Sequence, residues 1–385
     1  MKNVKIVTGA NQGDESKGLV VNAFTEQMFA ESDTPIIIFH NGTAQRGHTV
    51  DYQDGWRHVY HHFGSGSANG GRTYFADTFL IHPMEYRREY EELVKKNVML
   101  SKTFCSPYCL VITPFDMMVD RATEEWIAIT TGSPEHASCA MGSWCVNEGR
   151  VPREKSLFNI YDFCTSDDEK YYSMLEKIWK DCVAILDERG VDLCRTSYKD
   201  YAKKAYRDAV AKRFAQDIAF FDFHNTFKSF NQLWKMYDNF IFEGGQGLGL
   251  DVDNGEWHTT SHTGLDNPIA LLGDRKDFNA EVCYVTRAYE TRHGLGGMSD
   301  EIQKEKINEK MFDRTNVFNE YQGNFRYGYL NNKEMFARIN KDWAKVEGDS
   351  RFSKALVVTH CNEFPEGIIE SKYYSDNPFG MKERK

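Results

Sequence analysis

The stretch from Val4 to Val21, VKIVTGANQGDESKGLVV, constrains the fold more than any other part of the chain. Val4, Ile6 and Val7 read as a buried strand, Gly9 to Gly18 as a polar glycine-containing loop, and Leu19 to Gln27 as a helix. A strand, such a loop and a helix N-terminus converge unpaired N–H groups on one point, which makes an anion site. The loop is not of the Walker type, because it ends Ser16-Lys17-Gly18 and carries two acids, Asp14 and Glu15, at its centre. Asp14 has a use there as a base or as a ligand of Mg²⁺ beside phosphates, with Lys17 offsetting the charge. The plainer alternative is an ordinary strand–turn–helix with solvated acids.

A chain of 385 residues can bury a large core. Its formal net charge of −10 argues against a protein that coats nucleic acid. No apolar run reaches membrane length, and the N-terminus enters a strand without a signal-peptide pattern, so a cytoplasmic protein is expected. Nine cysteines at irregular spacing suit reduced thiols. The spacings of Cys105 and Cys109, and of Cys139 and Cys145, match no paired zinc pattern.

Further strands repeat the first arrangement. Pro35 to Phe39 is a continuous apolar run, as in a strand buried on both sheet faces, and leads into His40-Asn41-Gly42-Thr43-Ala44-Gln45-Arg46-Gly47-His48-Thr49. Asn239 to Phe242 runs into Glu243-Gly244-Gly245-Gln246-Gly247, Glu281 to Tyr289 into Thr291-Arg292-His293-Gly294, and Ala355 to Val358 into Thr359-His360-Cys361-Asn362. Strands that each end in a polar loop point to one shared nucleotide site at the carboxyl edge of an open parallel sheet. His48 is a candidate phosphate donor or general acid, with a hydrogen-bonded structural histidine as the alternative. His58, His61 and His62 are close in sequence, but strand alternation would split His61 from His62, which disfavours a metal cluster. Ser138 to Ser143 is a small-residue stretch able to wrap an anion, and Trp257 to Thr263 adds a run of hydroxyls. Helices are expected over Pro83–Lys96, Val119–Thr130, Tyr171–Glu188 and Tyr198–Phe221.

Taken in order, these motifs resemble the adenylosuccinate synthetase family. Gly9-Ala10-Asn11-Gln12-Gly13-Asp14-Glu15-Ser16-Lys17-Gly18 is similar to its opening G-x-Q-W-G-D-E-G-K-G-K, and Gly47-His48-Thr49 to its second loop. Phe242 to Gly247 resembles F-E-G-A-Q-G, and Tyr289-Glu290-Thr291-Arg292 resembles Y-S-T-R. The resemblance implies a P-loop-related α/β fold: one domain over residues 1–385, with a large, mostly parallel sheet flanked by helices and a helical insertion around 155–240. It also implies a homodimer and a ligase that phosphorylates the 6-oxygen of a purine nucleotide and then displaces the phosphate with the amine of L-aspartate.

In that reading Asp14 takes the N1 proton and reaches Mg²⁺, with the Gly47 carbonyl as a second metal ligand. His48 stabilises charge between the β- and γ-phosphates, Lys17 sits among the transferred phosphates, and Gln246 orients the 6-oxygen. Gly13, Glu15, Ser16, Gly18 and Thr49 hold the donor nucleotide. Asn41, Gln45, Ser138, Met141, Thr259, Thr260 and His293 contact the monophosphate, His293 near the sugar. Arg150 or Arg153 is the candidate to cross to a neighbouring site, and Arg326 the candidate for an aspartate carboxylate.

Departures narrow the reading. Where the family carries T-K-L-D at its guanine pocket, this chain has Thr359-His360-Cys361-Asn362. Asn362 presents one acceptor and one donor, which suits adenine and so ATP or dATP. Together with Gln45 in place of the usual Asn, the departures resemble the bacteriophage branch, which converts dGMP to the precursor of 2-aminoadenine for phage DNA. A synthetase acting on IMP is the alternative, and a regulator that binds nucleotide without catalysis is a third reading.

Overall fold

The computed structural model describes all residues except 32, 133–139, 154–155, 255–257, 311–313, 317, 319–322 and 385. In chain order the strands are β1 (Lys2–Gly9), β2 (Ile36–Phe39), β3 (His48–Asp51), β4 (Arg57–Tyr60), β5 (Arg72–Phe75), β6 (Thr103–Cys105), β7 (Asn225–Phe227), β8 (Asn239–Gly247), β9 (Phe278–Arg287), β10 (Glu290–Arg292), β11 (Glu301–Ile302), β12 (Arg326–Gly328), β13 (Phe352–Thr359), β14 (Tyr373–Tyr374) and β15 (Lys382–Glu383). Ten of them form one sheet in the order β15-β14-β13-β9-β1-β8-β2-β5-β6-β7. Every pairing in it is parallel except β14 with β15.

The opening strand lies between β8 and β9 near the middle of the sheet. Its apolar run divides by the two-residue period of a strand. Val4 and Ile6 join Ile36, Ile38, Phe240 and Phe242 on one face, while Val7 joins Ile37, Phe39 and Ile241 on the other. Both faces are thus dry, and each of these side chains contributes roughly 1.5–3 kcal/mol by leaving water.

Helix α1 (Lys17–Glu31) follows the opening loop, starting two residues before the expected position. Helix α2 (Pro83–Lys95) lies where expected. Helix α3 (Pro114–Thr131) begins five residues before Val119, because Thr113 and Asp116 form a capping box with Pro114 in the first turn. A further helix spans Asp168–Glu188. The single helix expected over Tyr198–Phe221 is broken: a 3-10 turn at Lys199–Ala202 and an extended Lys203 precede a helix at Lys204–His224. The whole of 106–224 is inserted between the neighbouring strands β6 and β7. Strand β8 continues through the glycine run to Gly247, where a loop was expected. No described helix is long and apolar enough to cross a membrane.

Candidate active site

The carboxyl ends of β1, β8, β9 and β13 and the loop after β2 open onto one cleft of about 1460 Å³. At its floor, Gly13, Asp14 and Ser16 all have positive φ (101°, 61° and 68°). Holding two non-glycine residues there costs roughly 1–2 kcal/mol each, so something must fix the loop.

Glu15 does so from inside. Its carboxylate accepts the N–H groups of Asn11 (3.0 Å) and Gly13 (2.8 Å) and pairs with Lys17 Nζ at 2.8 Å. Burial alone would raise the Glu15 carboxyl, but Lys17 and the backbone donors hold it below the ordinary range. A Cβ at Gly9 or Gly247 would lie within 2.5 Å of this carboxylate, which explains both glycines. The sequence placed Glu15 as a nucleotide contact and Lys17 as a catalytic residue among the transferred phosphates, offsetting the charge of the loop's acids. Both line the cleft, yet each is only 2% exposed and the Lys17 ammonium is bound to Glu15 rather than presented to phosphates. Asp14, by contrast, faces the cleft with its side chain 24% exposed, while Arg287 Nε donates to its carbonyl at 2.6 Å. Gly18 lies in the first turn of α1 against His48 and Thr49.

The loop after β2 supplies the second group. His48 Nδ1 lies 2.6 Å from Glu243 Oε1, and Nε2 lies 3.2 Å from the Gly245 carbonyl. Glu243 is fully buried and also accepts the N–H and hydroxyl of Ser65. Burial pushes the Glu243 carboxyl up, but the His48 hydrogen bond and the charges of His48 and Arg46 outweigh it and leave it ionised below the ordinary range. An ionised carboxylate only accepts, so Nδ1 carries the proton. Burial and the Arg46 charge push the His48 imidazole below its ordinary value.

Asn41 does not line the cleft; it accepts the Gly245 N–H at 2.9 Å and donates to Gln246 Oε1 at 3.1 Å, setting the carboxamide that does. Gln45 accepts the Ser143 hydroxyl at 2.8 Å, and Asn147 donates to Thr260 Oγ1 at 2.8 Å. Thr259, Thr260, Gln45, Ser143, Trp144 and Glu148 all line the cleft.

From β13, Thr359 Oγ1 lies 3.1 Å from the Glu15 carbonyl and backs the opening loop. His360 has a φ of 57° and its Nδ1 lies 3.5 Å from Ser16 Oγ. Asn362 lines the cleft together with Ser375, Asn377 and Phe379 from the segment after β14. His293 also lines it, with Nε2 3.9 Å from Asp14 Oδ2 and 3.1 Å from Asn316 Oδ1.

Several expected residues are elsewhere. Ser138 lies outside the described residues. Met141 is outside the cleft lining. Arg150 is 2% exposed and spends its guanidinium on Asp116 (2.8 and 3.2 Å) and on the carbonyls of Val111 and Ser156, so it is a core ion pair rather than an arm reaching a neighbour. Arg326 is clamped by Glu301 (2.8 and 2.5 Å) and by the carbonyls of Gly294 and Gly296, and it stays outside the cleft. Its charge is already answered. Sequence reasoning missed Glu243, Arg46, Arg287 and Arg314 as site residues. Glu243 was visible inside the Phe242–Gly247 motif, whereas the arginines carried no spacing signal.

Asp14 and Gly47 line the same cleft. A carboxylate and a carbonyl are hard oxygen donors, the set that Mg²⁺ takes when phosphates and water complete its shell.

A family-level profile described as adenylosuccinate synthetase matches residues 6–334. The chain belongs to the adenylosuccinate synthetase family. It is 27% identical over 311 residues to the adenylosuccinate synthetase of Stenotrophomonas maltophilia and 26% identical over 311 residues to that of a Marinomonas species. Each match covers 78% of this chain but 65% of the relative, so the chain spans slightly less than two thirds of the length of these relatives. Among solved structures, the fully ligated adenylosuccinate synthetase of Plasmodium falciparum superposes with a TM-score of 0.68 at 17% identity, over 94% of this chain and 77% of that one. The succinoaminodeoxyadenylate synthetase PurZ of cyanophage S-2L, solved with dGMP and with dATP as energy donor, superposes at 0.57 and 13% identity, over 100% and 95%. At these identities the two structures speak for a shared fold. The family's fold is therefore the one described above, a large and mostly parallel sheet flanked by helices.

Proposed function

We propose that this chain is a carbon–nitrogen ligase that joins the amine of L-aspartate to C6 of a purine nucleoside monophosphate at the expense of a nucleoside triphosphate. The observation that carries the reading is the convergence on one cleft of a cleft-facing carboxylate, Asp14, a carboxamide fixed by Asn41, Gln246, and an imidazole held by a buried carboxylate, His48 with Glu243. Asp14 takes the proton from N1 of the base, and Gln246 orients the 6-oxygen. The oxygen, now carrying the charge, attacks the γ-phosphorus and the nucleoside diphosphate leaves. The aspartate amine then attacks C6, and inorganic phosphate departs with the C–O electron pair. His48 faces the charge that develops between the phosphates. When bound, Mg²⁺ neutralises phosphate charge, with Asp14 and Gly47 as its protein ligands.

The 5′-phosphate fits the end of the cleft formed by Gln45, Ser143, Thr259 and Thr260, where hydroxyls and amides converge. In the same cleft Asn362 favours an adenine donor, ATP or dATP, because it offers adenine N6–H₂ an acceptor and N1 a donor. The monophosphate we favour is dGMP, on the departures from the family pattern together with the fold shared with the phage enzyme, which was solved with dGMP and dATP. IMP is the competing substrate, since the matched sequence relatives are bacterial adenylosuccinate synthetases. Action as a homodimer in the cytoplasm belongs to the same reading.

The deciding experiment incubates the protein with Mg²⁺, L-aspartate and ATP, plus dGMP or IMP, and follows phosphate release and product mass. Aspartate-dependent turnover of dGMP is expected. Turnover of IMP alone returns the chain to ordinary adenine synthesis, and no turnover of either leaves a nucleotide-binding protein. His293→Ala is expected to change the preference for dGMP over GMP, because its ring lines the cleft beside Asp14.

A further inference from the structure

On the reading in which Asp14 takes the base proton, that carboxylate must be kept aimed. Asp14 has a φ of 61°, between Gly13 at 101° and Ser16 at 68°. An L-residue in this region relaxes to negative φ unless its surroundings prevent it, and the relaxation would swing its Cα–Cβ bond away from the cleft. Glu15 holds the loop through the N–H groups of Asn11 and Gly13, upstream of Asp14.

Three arginines from separate elements hold the same loop by its oxygens. Arg338, on the helix Asn332–Trp343, donates to the Ala10 carbonyl at 3.2 Å and to Asn11 Oδ1 at 2.6 Å. Arg292, the last residue of β10, donates to Gln12 Oε1 at 2.9 Å. Arg287, the last residue of β9, donates from Nε to the carbonyl of Asp14 itself at 2.6 Å.

Arg287 is fixed in turn. It is 5% exposed, its Nη1 donates to the Tyr289 hydroxyl at 3.0 Å, and that hydroxyl donates to Glu363 Oε2 at 2.5 Å. Burial pushes the Tyr289 phenol up, so it keeps the proton it donates. The Glu363 N–H donates to the His360 carbonyl at 3.0 Å, which ties this carboxylate to the turn after β13. The bonds therefore run in one direction, from guanidinium through hydroxyl to carboxylate, and each polarises the next.

We infer that Arg287 is a positioning residue: its Nε–H···O bond holds the Asp14 peptide in the left-handed conformation that presents the carboxylate to the cleft, and Tyr289 with Glu363 holds the guanidinium. In this role Arg287 acts through Asp14 rather than on the reacting atoms. The task suits a guanidinium, whose rigid fork gives Nε to one acceptor and Nη1 to another, whereas an ammonium on a flexible stem fixes neither direction.

The test is steady-state kinetics of wild type, R287A, R287K, Y289F and R338A, varying L-aspartate, the monophosphate and ATP in turn, with thermal midpoints measured in parallel. R287A is expected to lower kcat by about 10–100-fold, the scale of a misplacement of about 1 Å at a reacting group, and to lower kcat/KM with it while KM for ATP holds. R287K is expected to recover part of the loss, because its ammonium can still donate to the Asp14 carbonyl. Y289F leaves that bond but frees the guanidinium, and a fall in kcat of about 2–10-fold is expected. R338A loosens the same loop without touching Asp14, and is expected to lower the thermal midpoint but not kcat. Should R287A fail to fold, the graded losses in R287K and Y289F carry the test. A wild-type kcat in the Arg287 and Tyr289 variants, equal losses in R287A and R338A, or a rise in KM for ATP with kcat kept, which would put the guanidinium on the donor phosphates, overturns the inference and leaves the ligase reading standing. Absence of aspartate-dependent turnover in the wild type overturns both.

Discussion

The cleft has two kinds of wall. On the sheet side, each chemical group is backed by a buried partner: Glu15 by Lys17 and two backbone N–H groups, His48 by Glu243, Gln246 by Asn41. On the outer side, the contacts are hydrogen bonds between uncharged side chains, most of them half-buried, such as Ser143 to Gln45, Asn147 to Thr260 and Thr49 to Thr315. The sheet wall is preorganised because its polar groups sit among dry strands, where an unpaired partner is costly. The outer wall pays little for being rearranged. On the proposed ligase reading, a site that admits a monophosphate, a triphosphate and an amino acid gains from having one rigid side and one adjustable side.

The sharpest way to break this comparison uses adjacent residues of the sheet wall. Glu15→Gln leaves the Lys17 ammonium buried without its counter-charge, and a loss of about 3–5 kcal/mol is expected in chemical denaturation. Asp14→Asn, one position away but facing the cleft, is expected to lower kcat by about 10²–10⁴ with little change in thermal midpoint. If both variants behaved alike, the division between framework and reacting groups would be wrong.

Acid should weaken the framework behind the cleft through buried histidines that do not line it. His40, His62 and His82 are fully buried, and burial pushes His40 down to about 3, His82 down to about 4 and His62 well below its ordinary value. Their folded proton affinities lie below that of the unfolded chain, near 6.5, so the stability they contribute is present above pH 6.5 and is lost as pH falls toward 4. The expected slope is about 1.4 kcal/mol per pH unit for each group, readable from urea denaturation at pH 7, 6 and 5. A flat profile in that window would show that the three rings reach water.

Two smaller effects test the outer parts. Asn362→Asp is expected to move donor preference from ATP toward GTP by about 1–3 kcal/mol, since a carboxylate accepts both guanine N1–H and N2–H₂; competing the two triphosphates reads it directly. Arg326→Ala removes a partly exposed ion pair and is expected to cost about 0–1 kcal/mol of stability without raising KM for aspartate. A rise in that KM would return Arg326 to the cleft.

How far the sequence could be read depended on whether a residue's role was local. The central strands were legible because each is a continuous apolar run: all of the Pro35–Phe39 run but Pro35 forms β2, and Ala355–Val358 falls inside β13. Helix starts were less so. The onset of α3 was missed because its capping box lies outside the amphipathic stretch, and the helix expected from Tyr198 was interrupted at Lys203. In the site, Asp14, His48, Gln246 and Asn362 emerged as cleft residues because their motifs are contiguous. The arginines did not. Nothing in the neighbourhood of Arg150 or Arg326 announces that Asp116, 34 positions away, or Glu301, 25 positions away, will consume its guanidinium.

The sequence by itself determined five of the parallel strands, β1, β2, β8, β9 and β13, that their carboxyl ends carry polar loops, and so that these loops meet at one edge of the sheet. Those properties follow from side-chain periodicity and from glycine placement, which act within a few residues. Only the tertiary structure decided which charges are spent and which are free. An ion pair is made by atoms a few ångströms apart whatever their separation along the chain, so Asp116 could claim Arg150 and Glu301 could claim Arg326.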